Sequence, residues 1–202
     1  SRPASGFRSV NGAIPSSRLL RGLDIGLALI GLIGLSPLFL LIMLFGLLET
    51  GSPLFRQTRL GQNRQPFILV KFRTMRPDTP SVATHLADAT AITRLGRFLR
   101  RTKLDELPQL WNVLRGEMSL VGPRPCLPEQ HELISERLDR GIFDRRPGIT
   151  GYGQIAGVDM SDPVRLAEMD AALVADDSLK AYLWCLAMTV SGRGQGDRVR
   201  ND

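Results

Sequence analysis

The stretch Thr102-Lys103-Leu104-Asp105-Glu106-Leu107-Pro108-Gln109-Leu110-Trp111-Asn112 places two adjacent carboxylates at the head of an apolar pattern. The apolar residues at helical spacing are Leu104, Leu107, Leu110, Trp111 and Leu114. They predict a helix with one buried face. Because proline is tolerated in the first turn, Pro108 places the start of this helix near Asp105. The positive end of the helix dipole then favours an ionised carboxylate at Asp105.

The residues around this carboxylate pair are strongly basic. Upstream lie Arg94, Arg97, Arg100, Arg101 and Lys103, and downstream lies Arg124 in Gly122-Pro123-Arg124-Pro125. An isolated Asp-Glu pair would be an ordinary helix cap. Arginines around two carboxylates instead suit an anionic, phosphate-bearing substrate, with a divalent cation between carboxylate and phosphate. Adjacent side chains on a helix point about 100° apart, so we expect Asp105 and Glu106 to have different tasks.

Composition narrows the class of partner only partly. A net charge of +6 predicts affinity for polyanions, which include nucleic acid, anionic lipid and phosphorylated small molecules. Cys126 and Cys185 have no metal or redox spacing, and His85 and His131 are the only histidines. We therefore expect reduced thiols and no zinc site.

An apolar run from Leu23 to Leu48 predicts a membrane segment. At about 1.5 Å per residue it reaches about 39 Å, enough to cross a hydrocarbon core of about 30 Å. Basic residues flank both ends, which favours the cytoplasm for each of them. Pro37 removes a backbone hydrogen bond, and Ser36 can donate to the freed carbonyl. A kinked single span and a re-entrant helix-break-helix both remain open on these residues alone.

A β-hairpin is predicted next, with its turn at residues 60–63 and its second strand at residues 66–74. Lys71 and Arg73 then lie on one side, facing phosphate, lipid headgroups or simply solvent. Residues 76–91 predict a loop. The segment from Ile92 to Lys103 opposes apolar residues to arginines, as in a helix lying in the headgroup plane, and packing on the core is the alternative.

The C-terminal half predicts further helices and one loop. A helix at residues 128–143 packs through Leu133, Ile134 and Leu138. The stretch from Arg145 to Gln154 predicts a Gly-rich loop whose backbone N–H groups approach a phosphate. Helices are expected at residues 163–175 and 179–190.

The string from Arg101 to Pro125, with Leu104-Asp105-Glu106-Leu107-Pro108-Gln109-Leu110-Trp111-Asn112 inside it, resembles the signature of the bacterial sugar transferases, the monotopic phosphoglycosyl transferases. The stretch from Arg146 to Gly151 is similar to the family's Arg-Pro-Gly-Ile-Thr-Gly. Beyond it this chain has Val158 where the family commonly has arginine, which puts a donor or phosphate contact at that position in doubt.

The resemblance implies an enzyme that moves a sugar-1-phosphate from a UDP-sugar to polyprenyl (undecaprenyl) phosphate and releases UMP, initiating surface glycan assembly. Asp105 is then the nucleophile that forms an aspartyl phosphosugar, and Glu106 is a metal ligand or base. Mg²⁺, held by Asp105 or Glu106, is the implied cofactor. By analogy with phosphoryl transfer, Arg124 and Arg146 are candidates to neutralise the phosphate charges, and Lys71 and Arg73 of the hairpin are further candidate phosphate ligands. Asp170 matches an acidic residue of the family and is a candidate site residue.

The family's membrane segment is re-entrant, which implies a break at Ser36 and Pro37 with Arg21 and Asp24 at its entry. The implied location is the cytoplasmic face of the bacterial inner membrane, in contact with membrane lipids. We expect no nucleic-acid partner, and whether the chain forms a homodimer stays open. The competing hypothesis from charge is a membrane-anchored basic module that binds anionic lipid or nucleic acid.

The expected fold is α+β and mainly helical. It has a re-entrant membrane helix, a short β-hairpin and amphipathic interfacial helices around a small catalytic domain. The expected organisation is a flexible lead-in at residues 1–17, the membrane helix at 18–50, a cytoplasmic catalytic domain at 51–190 and a disordered tail at 191–202.

Overall fold

The computed structural model describes residues 15–79, 89–176 and 178–192. Its helices are α1 Pro15–Gly34, α2 Ser36–Thr50, α3 Arg94–Thr102, α4 Gln109–Arg115, α5 His131–Asp139, α6 Tyr152–Ala156, α7 Pro163–Ala175 and α8 Leu179–Val190. Its strands are β1 Leu54–Leu60, β2 Pro66–Phe72, β3 Ser119–Val121 and β4 Gly148–Thr150. The mainly helical α+β class is confirmed. Most of the predicted lead-in, loop and tail (residues 1–14, 80–88 and 193–202) lies outside the described residues.

The first helix begins at Pro15, earlier than the predicted residue 18. Proline suits the first helical position, because its fixed φ is helical and its missing N–H has no partner there. The C-terminal helices α7 and α8 have the bounds that the apolar spacing predicts.

The apolar run forms two helices, α1 and α2, bent by 62° at Leu35. The Ser36 hydroxyl donates to the Ile33 carbonyl at 2.8 Å. That carbonyl would otherwise bond the N–H that Pro37 lacks, so the predicted compensation at Ser36 is confirmed. No single described helix is long and apolar enough to cross a bilayer, whereas α1 and α2 are when taken together from Arg18 to Thr50.

Much of the α1–α2 surface is apolar and exposed. Its large exposed side chains are Leu19, Ile25, Leu27, Leu29, Ile30, Ile33, Leu35, Leu40, Leu41, Leu44, Phe45, Leu47 and Leu48. An exposed apolar surface of this extent is typical of membrane or protein contact. The opposite side packs on the rest of the chain, where Ala28 and Ile42 are buried.

The predicted hairpin is confirmed as an antiparallel pair of β1 and β2, in which Leu54 lies opposite Phe72 and Leu60 opposite Pro66. Phe72 joins Ile42 of α2 and Leu99 of α3 in one buried cluster. Of the two alternatives for the apolar side of α3, packing on the protein core is therefore confirmed for Leu99. Phe98, also predicted on that side, is exposed.

A second, parallel strand pair was not predicted. β3 and β4 join residues 119–121 to residues 148–150, so the expected phosphate-binding loop is partly strand. A Cβ on Gly148 would lie 2.0 Å from the Gly122 nitrogen, and a Cβ on Gly122 would lie 2.6 Å from the Arg146 carbonyl oxygen. The two glycines therefore allow two backbones to touch. The predicted approach of the loop to a phosphate stays a prediction.

The predicted helix at residues 128–143 is shorter than expected. Only α5 is α-helical, and Ile142–Asp144 forms a separate 3₁₀ turn after Gly141, whose φ is 64°. Leu133 is buried as predicted, whereas Leu138 is exposed and Arg137 is buried in its place. The reason is an ionic partner for Arg137 on α7.

Candidate active site

The Asp105–Glu106 pair lies in a 3₁₀ turn, Leu104–Glu106, between α3 and α4. The prediction of an α-helix starting near Asp105 is therefore wrong, since α4 begins at Gln109 after Pro108. Lys103 ends α3 in the left-handed conformation, with φ 57°, and its N–H bonds the Arg100 carbonyl. Pro108 has no N–H to give, so the residues between use the tighter 3₁₀ bonds.

Asp105 is buried, with only 8% of its surface exposed. Burial, and next the negative charge of Glu106, raise the pKa of Asp105 to about 6. The charges of Lys71, Arg100 and Arg124 act against this rise. Loss of hydration thus makes ionisation of Asp105 harder than in water, against the expectation that its position favours the carboxylate, and the carboxylate is still the main form at pH 7.

Glu106 and Arg124 form an ion pair, in which Arg124 Nη2 donates to Glu106 Oε1 at 2.8 Å. Their side chains are 14% and 18% exposed, so the pair is largely shielded from water. The structure thus brings together three of the predicted site residues, which are Asp105, Glu106 and Arg124. Burial also lowers the pKa of Lys103, which the Glu106 charge opposes.

The two predicted cations of the hairpin both lie over the Phe55 ring and differ in their other contacts. Lys71 lies over the Phe55 ring, 5.5 Å from its centroid, and its charge acts on Asp105. Arg73 holds the start of the hairpin, where its Nε donates to the Ser52 carbonyl at 2.8 Å and its Nη2 to the Leu54 carbonyl at 3.3 Å. Of the two cations, only Lys71 is among the charges that act on Asp105.

Arg146 is exposed and donates to the Gly116 carbonyl at 2.9 Å. It lines a cavity of about 380 Å³ together with Arg145, Asp144, Asp176 and the Gly122-Pro123 backbone. Since Pro123 precedes Arg124, this cavity lies beside the chain segment that carries the Glu106 partner. Arg146 is not among the charges that act on Asp105.

Asp170 is fully buried, which corrects its prediction as a substrate ligand. Its Oδ2 accepts from Arg137 Nε at 3.0 Å and from Arg137 Nη2 at 2.6 Å. Burial raises the pKa of Asp170, and the charge and hydrogen bonds of Arg137 oppose this. The carboxylate therefore serves Arg137 in the interior and presents no group to a ligand.

Arg21 and Asp24 bind the C-terminal part of the chain. Arg21 Nη2 donates to the Val113 carbonyl at 2.7 Å, close to the end of α4. Asp24 Oδ1 accepts from the Leu120 N–H at 2.9 Å, the Ser119 hydroxyl at 3.0 Å and the Tyr182 hydroxyl at 2.9 Å. Burial and the Asp24 charge raise the pKa of Tyr182. Both residues at the head of α1 thus attach this helix to α4, β3 and α8.

Asn112 is a structural residue that sequence reasoning left without a role. Its side chain is buried on α4 and pairs with the free edge of β2, accepting from the Val70 N–H at 3.2 Å and donating to the Ile68 carbonyl at 2.7 Å. It also donates to Glu117 at 2.7 Å. The available signal was an amide within the apolar face of a helix, where a buried polar group requires partners.

The position where the family commonly has arginine is part of the core. Val158 is partly buried against the cluster that contains Leu166 and Phe143, and its N–H bonds the Gly153 carbonyl at 2.9 Å. Among the described residues, no group of three or more His, Cys, Asp or Glu side chains is placed to hold a metal ion.

The fold and the site together define a protein with an exposed apolar helix pair and an acidic pair among cations, an arrangement suited to phosphate-bearing substrates near a membrane. Residues 16–194 match the model of the family described as bacterial sugar transferase. The chain therefore belongs to the bacterial sugar transferases, as the resemblance indicated.

Several relatives share most of this chain. An uncharacterized sugar transferase of Bacillus subtilis, EpsL, is 42% identical over 144 residues, which are 71% of this chain and 71% of EpsL. The exopolysaccharide production protein ExoY of Sinorhizobium fredii is 38% identical over 84% of this chain and 83% of its own length.

A UDP-glucose:undecaprenyl-phosphate glucose-1-phosphate transferase of Caulobacter vibrioides is 47% identical over 61% of this chain. The match spans 48% of that relative's length, so the relative is substantially longer than the matched region.

Proposed function

We propose that this protein transfers a sugar-1-phosphate from a UDP-sugar to polyprenyl (undecaprenyl) phosphate, with UMP as the second product. The observation that carries the proposal is the position of Asp105, which is buried beside the Glu106–Arg124 ion pair and near Lys71. Family membership and the named activity of the Caulobacter relative support the same reaction. Initiation of surface glycan assembly is the corresponding role.

In the first step, a carboxylate oxygen of Asp105 forms a bond to the phosphorus that carries the sugar. The bond from this phosphorus to the oxygen bridging the two phosphates breaks. That oxygen keeps the electron pair and leaves as part of UMP. The product on the protein is an aspartyl phosphosugar, a covalent intermediate that divides one exchange between two anions into two steps.

In the second step, a phosphate oxygen of the lipid forms a bond to the same phosphorus. The bond from this phosphorus to Asp105 breaks, and its electron pair restores the carboxylate. The lipid leaves as a polyprenyl diphosphate sugar. Charge and atoms balance without a redox partner, and the nucleophile is regenerated.

The surrounding charges suit these steps. With a pKa of about 6, Asp105 is mainly ionised at pH 7 and therefore available to attack. The cations Lys71, Arg100 and Arg124 lower the cost of bringing two more phosphate charges to it. Arg124 is already held by Glu106, so its position is fixed before substrate binds.

The donor set fits Mg²⁺, a hard cation that typically takes one or two carboxylates and completes its shell with phosphate oxygens and water. Asp105 and Glu106 are adjacent, and the charge of Glu106 raises the pKa of Asp105. Bound there, Mg²⁺ would neutralise charge between the carboxylates and the donor phosphates. We assign Asp105 and Glu106 as its protein ligands.

In this proposal, α1 and α2 enter and leave the same leaflet, on the cytoplasmic face of the bacterial inner membrane. Support comes from the 62° bend and from the basic residues on both flanks. The exposed apolar surface contacts lipid tails. Phe98 and the exposed arginines of α3, which are Arg94, Arg97 and Arg101, lie at the headgroups, so that soluble donor and lipid acceptor reach one site.

The test is UMP release by the purified full chain with a panel of UDP-sugars, polyprenyl phosphate and Mg²⁺. Without acceptor lipid, we expect a single burst of about one UMP per chain and a sugar-phosphate mass increment on the peptide that contains Asp105. Asp105→Asn should abolish both signals, whereas the same change at exposed Asp139 should leave them intact.

Three outcomes would contradict the proposal. Turnover by Asp105→Asn would exclude the assigned nucleophile. Free sugar phosphate in place of lipid-linked product would indicate a hydrolase. Salt-sensitive binding to anionic vesicles or nucleic acid, with no UMP from any donor, would favour the basic binding module.

A further inference from the structure

Four successive backbone carbonyls at the Arg124 position are each held by a hydrogen bond. The Pro123 carbonyl accepts from the Gly148 N–H at 2.9 Å, and the Cys126 carbonyl accepts from the Leu60 N–H at 2.9 Å. Between them, two arginine side chains bind the other two carbonyls. We call residues 123–126 the Arg124 segment.

These two arginines are buried. Arg137 is 2% exposed, and its Nη1 donates to the Arg124 carbonyl at 2.8 Å. Arg59 is 6% exposed, and its Nη1 donates to the Pro125 carbonyl at 3.1 Å. Asp170 holds Arg137 through two hydrogen bonds, and Gln57 accepts from Arg59 Nη2 at 2.7 Å. The Arg124 segment is thus fixed from the protein interior by charged groups.

Stability is a poor explanation for the Arg137–Asp170 pair. Two charges lose their hydration when they are buried, and well-packed apolar side chains of similar size usually serve stability equally well. What the charges add is direction, since a guanidinium held by a carboxylate places its remaining N–H groups with little freedom. Here Arg137 Nη1 donates to the carbonyl of Arg124, whose own side chain pairs with Glu106.

We propose that Arg137, oriented by Asp170, and Arg59 are positioning residues that fix the Arg124 segment, so that the Arg124 guanidinium meets Glu106 and the donor phosphates. The inference rests on the proposed function for its chemistry. Asp170 then has a positioning role in place of the predicted ligand role. Its contacts run from α7 to Arg137 on α5 and from Arg137 to the Arg124 carbonyl. None of these three residues touches substrate.

The experiment compares Arg137→Met and Asp170→Asn with Arg140→Met in the full chain. Arg140 is the matched control, because it forms an ion pair with Glu136 on the same helix and does not contact the Arg124 segment. We expect kcat for UMP release to fall about a hundredfold in the two test variants, as for a displacement of roughly 1 Å at a catalytic group. The control should keep wild-type turnover.

A double variant separates positioning from general damage. If Arg137 acts through Arg124, Arg124→Met/Arg137→Met should lose no more activity than Arg124→Met alone. Multiplied losses in the double variant would overturn the inference. Asp170→Asn preserves volume, so it carries the test if Arg137→Met does not fold.

Hydrogen exchange provides a readout that does not depend on turnover. We expect faster exchange at the Gly148 and Leu60 amides, which donate to the Pro123 and Cys126 carbonyls, in Arg137→Met and Asp170→Asn, and wild-type exchange in Arg140→Met. Folded test variants with unchanged exchange and unchanged UMP release would overturn the inference. If wild-type protein releases no UMP, the proposed function fails, and the exchange rates still decide whether these residues fix the segment.

Discussion

Replacing Asp105 by asparagine should make the protein more stable at neutral pH while removing its activity. Asn matches the protonated form of Asp105 in size and carries no charge. The folded protein raises the pKa of Asp105 from its ordinary 3.8 to about 6, mainly through burial. At about 1.4 kcal/mol per pKa unit, ionised Asp105 therefore costs the folded state about 3 kcal/mol.

The sign follows from proton binding. Because the folded-state pKa of Asp105 is raised, the folded protein binds more protons than the unfolded chain between pH 3.8 and about 6. The contribution of this group to stability is fully present below pH 3.8 and is lost as pH rises through about 6. The free energy of unfolding of Asp105→Asn should thus exceed that of wild type by a margin that grows by about 2 kcal/mol between pH 4.5 and 7.

Denaturant unfolding in detergent, without Mg²⁺ or substrate, measures this margin at a series of pH values. The control is Asp139→Asn, an equal chemical change at an exposed position, for which we expect less than about 0.5 kcal/mol at every pH. A margin independent of pH, or an Asp105→Asn protein less stable than wild type at pH 7, would refute the assigned burial energetics.

Further predictions concern the attachment of α1, its bend and the parallel strand pair. Asp24→Ala removes the acceptor of three hydrogen bonds, two of them buried, and should lower the free energy of unfolding by more than about 3 kcal/mol, against about 1 kcal/mol for Tyr182→Phe, both from denaturant unfolding. Pro37→Ala restores a backbone donor and should reduce the 62° bend, which distances between spin labels on α1 and α2 in lipid nanodiscs would measure; an unchanged distance would contradict the role of proline. Gly148→Ala places a methyl 2.0 Å from the Gly122 nitrogen and should cost about 3 kcal/mol or more, whereas Gly157→Ala, with open space around its Cβ, should show only the cost of its positive φ.

Local patterns in the sequence were sufficient for several elements. The bounds of α7 and α8 follow from apolar spacing and from Asp162 and Ser178, whose side chains cap them. The bend at Ser36-Pro37 follows from the chemistry of proline, and the hairpin from alternation around a turn. In each case the cause lies within a few residues of its effect.

The identities of the interior contacts could not be predicted in the same way. Arg137 and Asp170 are 33 residues apart, and Asp24 and Tyr182 are 158 apart. All four residues lie on amphipathic or apolar helices, where a polar side chain is usually exposed to solvent. Exposure was therefore the simplest expectation for Asp170. The parallel pair of β3 and β4 was not predicted, because strands of three residues are too short to show an alternating pattern.

The position of the site relative to the apolar helices is a consequence of these distant contacts. α4 begins three residues after Glu106 and packs on α1, where Ala28 and Leu110 share one buried cluster. A Cβ on Gly31 would lie 2.9 Å from Leu110 Cδ1, so the two helices are in close contact. Arg21 and Asp24 add hydrogen bonds from α1 to α4 and β3, so the apolar helices are attached directly to the element that follows the carboxylate pair. In the proposed reaction, these contacts set the height of Asp105 above the bilayer that α1 and α2 enter, and so decide whether a lipid phosphate reaches the carboxylate.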